Sequence, residues 1–309
     1  MMDSGLLPVF WRAWQAMPGK VTKPPVMTRS FDMDMEYSPG RHRLSVQKRQ
    51  HPPKARLLRV CRTVRIAPII QRVTFGGDDL ADLVSGSFDD HVKLFFPHER
   101  WARPALPVFG PRGAAYPGDA PQPLARDYTP RRYDPASSEL DIDFVLHGPG
   151  PAALWASRAK VGQYLGAAGP GSSFVIPHAF DWHLLIGDET AIPAIARRLA
   201  ELPAGIRVHA IIETSRADSR QELPSRADLT LQWVSSAFDV EGGVGALQRV
   251  VRRLQLPEGE GYVWAAGEYA CIRAIRQHLV RECGLDKSRI RAASYWRKGM
   301  PATHEVFAD

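Results

Sequence analysis

A chain of 309 residues that is 44% hydrophobic and 24% charged has the length for two domains with cores of their own, and its composition excludes a disordered or fibrous protein. The net charge of +7 invites a nucleic-acid partner, but the basic residues are scattered and no recognition helix, zinc-finger spacing or aromatic single-strand platform accompanies them, so a cationic patch for an anionic small molecule is expected instead. Cys61, Cys271 and Cys283 lack CxxC or Cys–His ligand spacing, which argues against a disulfide or metal framework, and no apolar run approaches the roughly 18 residues of a spanning helix; the expected protein is cytoplasmic, monomeric, metal-free and not inserted in a membrane.

Residues 1–55 mix MPGKVTKPPV, SPGRHR and KRQHPPK without sustained periodicity and read as a disordered basic extension, within which Met27, Met33 and Met35 offer alternative starts. From residue 56 to 178 the pattern is antiparallel β. LLRVCRTVRI and IIQRVTFGG alternate apolar and polar residues, DHVKLFFP adds a third strand, and the Pro- and Gly-rich stretch 98–123 reads as a long loop. RDYTPRR, LDIDFVLH and VGQYLGAAGP continue the strands around one short helix, PAALWASRA, which suggests a closed or nearly closed barrel. From 179 to 309 the grammar changes. HLLIGD, VHAIIET, LTLQWV and GYVWAAG are apolar runs separated by the helical stretches IPAIARRLAEL, VGALQRVVRRL and EYACIRAIRQHLVREC, the pattern of a parallel sheet covered on both faces. The expected fold class is thus a β-barrel domain followed by an α/β domain.

Arg126 and Tyr128 of RDYT share one face of a strand, whereas Thr129 points the other way. Downstream, His147-Gly148-Pro149-Gly150-Pro151 turns into a helix whose first-turn amides, at Ala152 and Ala153, face an anion site. A cofactor with a flat ring, a polar edge and a pyrophosphate uses all of these: Tyr128 on the ring, Thr129 at its edge, Arg126 and the helix start on the phosphates. FAD fits that description. His147 is a further candidate, balanced against an ordinary structural histidine, and Trp155 either packs on the barrel or meets the adenine.

In parallel sheets ligands lie beyond the carboxyl ends of the strands. That places GDETAIPA first, with Asp188, Thr190 and Ala191 at a helix start that lacks the glycine-lined turn of nucleotide-binding folds; a plain capped helix is the alternative. Glu213 ends the second strand, and Arg216 is placed to take a 2′-phosphate or to be surface charge. Gly267 permits close approach of a nicotinamide, and Glu268 either contacts it or favours the following helix.

VTFGGDDLADL with DDHVKLFFP, RDYTPRRY, DFVLHGPGPAALWA with GAAGPGSSF, and GDETAIPAIARRL through WAAGEYACIRAIRQHL to SYWRKG resemble, in order and spacing, the siderophore-interacting protein family, which is similar to ferredoxin–NADP reductases. The resemblance implies an FAD barrel with Tyr128 and Thr129 at the reacting edge, NADPH or NADH as donor with ferredoxin an alternative, and a ferric siderophore as acceptor. It further implies that basic residues near the flavin edge, here Lys93, Arg297 and Lys298, attract the anionic chelate. Two other readings stay open: another NAD(P)H- or ferredoxin-linked flavin oxidoreductase, and a non-catalytic siderophore-binding protein.

Overall fold

A computed structural model describes residues 44–111, 113–118, 121–146, 150–236, 245–300 and 305–307. The first half builds β1 (Gln47–Gln50), β2 (Ala55–Ala67), β3 (Ile70–Gly76), β4 (Val92–Phe96), β5 (Val108–Gly110), β6 (Gly113–Ala115), β7 (Leu124–Tyr128), β8 (Arg132–Asp134), β9 (Glu139–Val145), α1 (Pro151–Ser157), β10 (Tyr164–Ala168) and β11 (Ser172–Val175). Among the described residues, seven of these strands form one sheet in the order β7-β4-β10-β2-β3-β9-β8. Every neighbouring pair is antiparallel. Its two edge strands, β7 and β8, are joined by the short link Thr129–Arg131, so the sheet curls back toward itself. The alternation seen in the sequence sends Leu58, Val60, Val73, Phe75, Leu94, Ile142 and Phe144 inward to one core, which α1 closes with Ala152 and Ala156.

Residues 47–50 of the expected extension are a strand, β1, which pairs with β11 from Gln47↔Val175 to Gln50↔Ser172; residues 1–43 lie outside the described residues. QKRQ is exposed on both faces, so it carries no apolar period that would have revealed a strand. The loop 98–123 also contains a hairpin, β5 with β6, whose Gly113 adopts φ 97° at the turn.

The second half contains β12 (Trp182–Gly187), α2 (Ile192–Glu201), β13 (Arg207–Thr214), β14 (Asp228–Ser235), α3 (Ala246–Arg252), β15 (Gly261–Glu268), α4 (Tyr269–Arg281), β16 (Ile290–Trp296) and β17 (Glu305–Val306). The sheet order is β14-β13-β12-β15-β16-β17, parallel except for the last pair. The order reverses between β12 and β15, the switch point at which such sheets open a crevice. Alternate residues of these strands feed two cores. Leu185, Ala210, Ile212 and Trp264 pack with α2, whereas Leu184, Ile186, Ile211 and Val263 pack with α3 and α4. Pro193 is tolerated in the first turn of α2, and Ile192, Ile195 and Leu199 recur on its buried face, each burial stabilising by about 1.5–3 kcal/mol.

The halves are joined through buried polar contacts. Asp89 accepts from the Trp264 indole at 2.8 Å and from Arg291 Nε, and Phe88 meets the Trp264 ring edge-on. Arg197 on α2 donates to Ser85 Oγ at 2.7 Å, to Ser85 O at 3.0 Å and to Pro130 O at 2.9 Å. Pro130 immediately follows RDYT, so these contacts set where that motif stands relative to the second sheet. No helix among the described residues is long and apolar enough to cross a membrane.

Candidate functional site

β7 pairs with β4 so that Tyr128 lies opposite Val92 and Arg126 opposite Leu94, both buried partners. Arg126 and Tyr128 therefore share the inward face, as the spacing requires. The Tyr128 ring is 4.5 Å from that of Phe144, and Phe144 and Phe96 lie 5.9 and 5.6 Å from Trp155 on α1. This aromatic cluster ties RDYT to the helix start. Burial pushes the Tyr128 phenol above its ordinary range, against the pull of the nearby Arg126 charge. Arg126 donates to the Ala125 carbonyl at 2.7 Å, and no carboxylate among the described residues forms an ion pair with it. It keeps a charge suited to an anionic ligand.

The start of α1 has three features that fit a bound phosphate-bearing cofactor. Gly150 is the N-cap and no side chain caps the helix. Its φ of −60° suits any residue, and a Cβ there would meet nothing within 4 Å, so the glycine leaves open space beside the first turn rather than serving the backbone. The Trp155 indole N–H is buried without a partner among the described residues, a cost that an acceptor on a ligand would remove. Ala152 is buried and Ala153 half-buried in that turn. His147 and Gly148 lie outside the described residues. Thr129 is buried and stands beside Tyr295 on β16, so the end of RDYT abuts the second domain.

At the carboxyl ends of the parallel strands the predicted residues largely satisfy one another. Asp188 Oδ1 accepts from the Thr190 amide at 2.9 Å and its hydroxyl at 2.5 Å; Oδ2 accepts from the Glu268 amide at 2.9 Å and the Trp296 indole at 2.8 Å. Burial raises the Asp188 pKa while these donors pull it down. Ala191 is fully buried, and its amide closes the turn on Asp188 O. GDETA thus forms the capped turn that was the alternative to a nucleotide cradle. Gly267 adopts φ 152°, and a Cβ on it would lie 2.5 Å from Asp188 Oδ2, so the absence of a side chain is required by this packing. Glu268 caps α4, accepting from the Ala270 and Cys271 amides at 2.7 and 3.0 Å, which is the helix-start role weighed for it. Arg216 is exposed and held by Asp218 at 2.9 and 2.5 Å. An exposed pair of this kind contributes little and yields readily to a better anion.

The three predicted cations differ. Lys93 pairs with Asp127 at 2.7 Å and its side chain is only 11% exposed, on the face of β4 opposite the aromatic cluster. Arg297 and Lys298 are exposed just beyond β16, Arg297 lying over the Tyr269 ring at 4.6 Å. Tyr295, which meets Thr129, is two residues before Arg297, so these two cations and RDYT converge on the same end of the molecule. The interdomain group of Asp89, Trp264, Arg291 and Arg197, together with the Thr129–Tyr295 contact, has no local motif. Among the described residues no cluster of three or more His, Cys, Asp or Glu side chains is arranged to hold a metal ion.

A curled antiparallel sheet carrying RDYT and an uncapped helix start, joined to a doubly wound α/β domain, is the architecture of two-domain flavin reductases. The chain belongs to the siderophore-interacting protein family: residues 59–174 match the siderophore-interacting FAD-binding domain and residues 180–299 the siderophore-interacting protein domain. It is 31% identical over 247 residues to ferric vibriobactin reductase ViuB of Vibrio cholerae, covering 79% of this chain and 90% of that one. It is 33% identical over 253 residues to the NADPH-dependent ferric-chelate reductase of Escherichia coli, covering 81% and 96%. Its fold matches the crystal structure of a siderophore utilization protein from T. fusca with a TM-score of 0.75 and 38% identity, over 83% of this chain and 97% of that one.

Proposed function

We propose that the protein is an FAD-dependent ferric-siderophore reductase that takes electrons from NAD(P)H and releases ferrous iron. The observation that carries this is the convergence of Arg126, Tyr128 and the open, uncapped start of α1 on one inner face of the barrel. Arg126 and the first-turn amides of α1, at Ala152 and Ala153, would hold the pyrophosphate, Tyr128 would meet the ring system and Thr129 its reacting edge. Bound FAD supplies the exchange between a two-electron hydride donor and a one-electron ferric acceptor. The ferric chelate is substrate: Arg297 and Lys298 draw its anionic form to that edge, and ferrous iron is held less tightly by hard oxygen donors once reduced. Buried contacts around Asp89 and Arg197 join the two domains.

Reduced ferredoxin as donor is the second reading, favoured by a first turn whose amides already have acceptors in Asp188. Anaerobic stopped-flow reduction of the FAD-loaded protein by NADH, NADPH and reduced ferredoxin, followed by mixing with ferric chelates, separates the donors. A protein that does not retain FAD overturns the assignment.

A further inference from the structure

The stretch 98–103, which follows β4, lies against the far end of α1 and the turn after it. Arg100 Nη2 donates to the Arg158 carbonyl at 2.8 Å, and the Gln163 side-chain amide donates to the Arg100 carbonyl at 3.0 Å. The Gln163 side-chain oxygen in turn accepts from the Lys160 amide at 2.8 Å. Arg103 lies over the Tyr164 ring at 4.9 Å. Tyr164 precedes Leu165, which belongs to the barrel core, so these contacts stand on the outer face of β10, the opposite side from Arg126 and Tyr128.

Apolar and cationic side chains are exposed together here. Trp101 is 59% exposed, Val161 61%, and Leu154, one helical turn before Arg158, 42%. Arg100, Arg103, Arg158 and Lys160 are exposed beside them, and no carboxylate among the described residues forms an ion pair with any of the four. Other exposed cations find carboxylates: Lys54 meets Asp82, Arg132 meets Glu139 and Asp134, and Arg216 meets Asp218. Glu99 is the single acid in the stretches 98–103 and 154–164. A lone exposed apolar residue means little, but a Trp, a Val and a Leu grouped with four unpaired cations fit a partner that is anionic at its surface and apolar beneath.

We infer that this face docks on an anionic lipid bilayer, with Trp101 and Val161 seated at headgroup depth and the four cations on the lipid phosphates. An indole is favoured at that depth because its ring is apolar and its N–H polar. Each Lys or Arg at an anionic leaflet strengthens binding by about fivefold, and the apolar side chains supply the second signal that stable surface attachment needs. Nucleic acid offers the same phosphates but no apolar layer for Val161 and Leu154. The contact needs no spanning helix, and it uses neither RDYT nor the start of α1.

Co-sedimentation of the full chain with vesicles tests this, using phosphatidylcholine alone or with about one-third phosphatidylglycerol, at about 0.1 M salt so that only close charges count. Expected is binding to the anionic vesicles and not to phosphatidylcholine alone. Arg158→Gln with Lys160→Gln should weaken it about 25-fold, and Trp101→Ala about tenfold. Arg158→Lys with Lys160→Arg keeps both charges and should bind like the parent. So should Arg252→Gln with Arg253→Gln, which removes two exposed cations at the end of α3. A parent that ignores anionic vesicles overturns the inference, as do patch substitutions, Trp101→Ala included, that leave binding unchanged. Equal loss on removing the α3 cations overturns it too, since net charge rather than this face would then be the cause. Duplex DNA binding that the patch substitutions abolish, with vesicles left unbound, would make the face a nucleic-acid surface instead.

Discussion

Replacing Asp89 by Ala removes the acceptor that joins the barrel to both β15 and β16. The carboxylate side chain is 3% exposed and its partner Arg291 13% exposed, so the substitution strands a largely buried guanidinium and, with it, the Trp264 indole N–H. Breaking one partner of a buried ion pair costs about 3–5 kcal/mol, and an unmet buried donor about 1–3 kcal/mol. These losses overlap in one network and do not add in full. Arg291 keeps its stacking on Phe174, 3.7 Å from the guanidinium carbon to the ring centre, in parent and variant alike, so that contact does not enter the difference. The expected net loss is about 4 kcal/mol, or roughly a 10 °C lower melting temperature for a protein of this size. Trp264→Phe keeps the ion pair and should cost about 1–2 kcal/mol, mainly through the lost hydrogen bond. Urea unfolding of both variants with FAD held saturating gives the comparison. A loss under about 1 kcal/mol for Asp89→Ala would refute the view that this carboxylate holds the domains together.

Arg126→Ala should weaken FAD binding by about 1.5–3 kcal/mol, measured by recovery of flavin fluorescence on dilution; unchanged retention would make RDYT a plain strand. Substituting Arg297 and Lys298 by Gln, singly and together, should raise KM for anionic but not neutral ferric chelates and flatten the salt dependence, because exposed charges are screened beyond about 8 Å at 0.15 M salt. Lys93→Gln should do little to KM, since Asp127 already neutralises that cation. His183 is buried and its pKa is depressed to about 3, first by burial and then by Arg198. The unfolded chain takes up a proton near pH 6.5 that the folded chain refuses, so stability present at neutral pH is lost as pH falls from about 6.5 toward 3, by about 1.4 kcal/mol per pH unit. His183→Gln should flatten that slope relative to the parent in denaturant titrations at pH 7, 6, 5 and 4; parallel slopes would contradict it.

The strands that alternate or run apolar were legible because one or both of their faces are buried: β2, β3, β4 and β9 in the barrel, and β12, β13 and β15 in the second sheet. β1 was not, since four polar residues exposed on both faces pair through the backbone alone. β16 hid behind small and polar residues, and its place in the sheet follows from pairing with β15 rather than from any apolar period of its own. At the site, the shared face of Arg126 and Tyr128 follows from the two-residue repeat of a strand, and Glu268 as a helix cap from its position before an amphipathic run. What the sequence left hidden is pairing over long separations. Asp89 finds Trp264 and Arg291 at 175 and 202 residues' distance, and Glu189 finds Ser215 only because two parallel strands end side by side. Lys93 looked available because its cross-strand partner Asp127 belongs to another strand whose register only the fold supplies.

Electron passage from flavin to chelated iron is tested directly by single-turnover mixing. FAD-loaded protein is photoreduced anaerobically, mixed with one excess ferric chelate at low ionic strength, and followed at once for flavin reoxidation and for ferrous iron captured by a chromogenic chelator. Reoxidation should accelerate with chelate concentration and yield two ferrous ions per flavin, since two electrons leave singly. Flavin that stays reduced in the presence of the chelate, or that reoxidises without ferrous iron appearing, would contradict it.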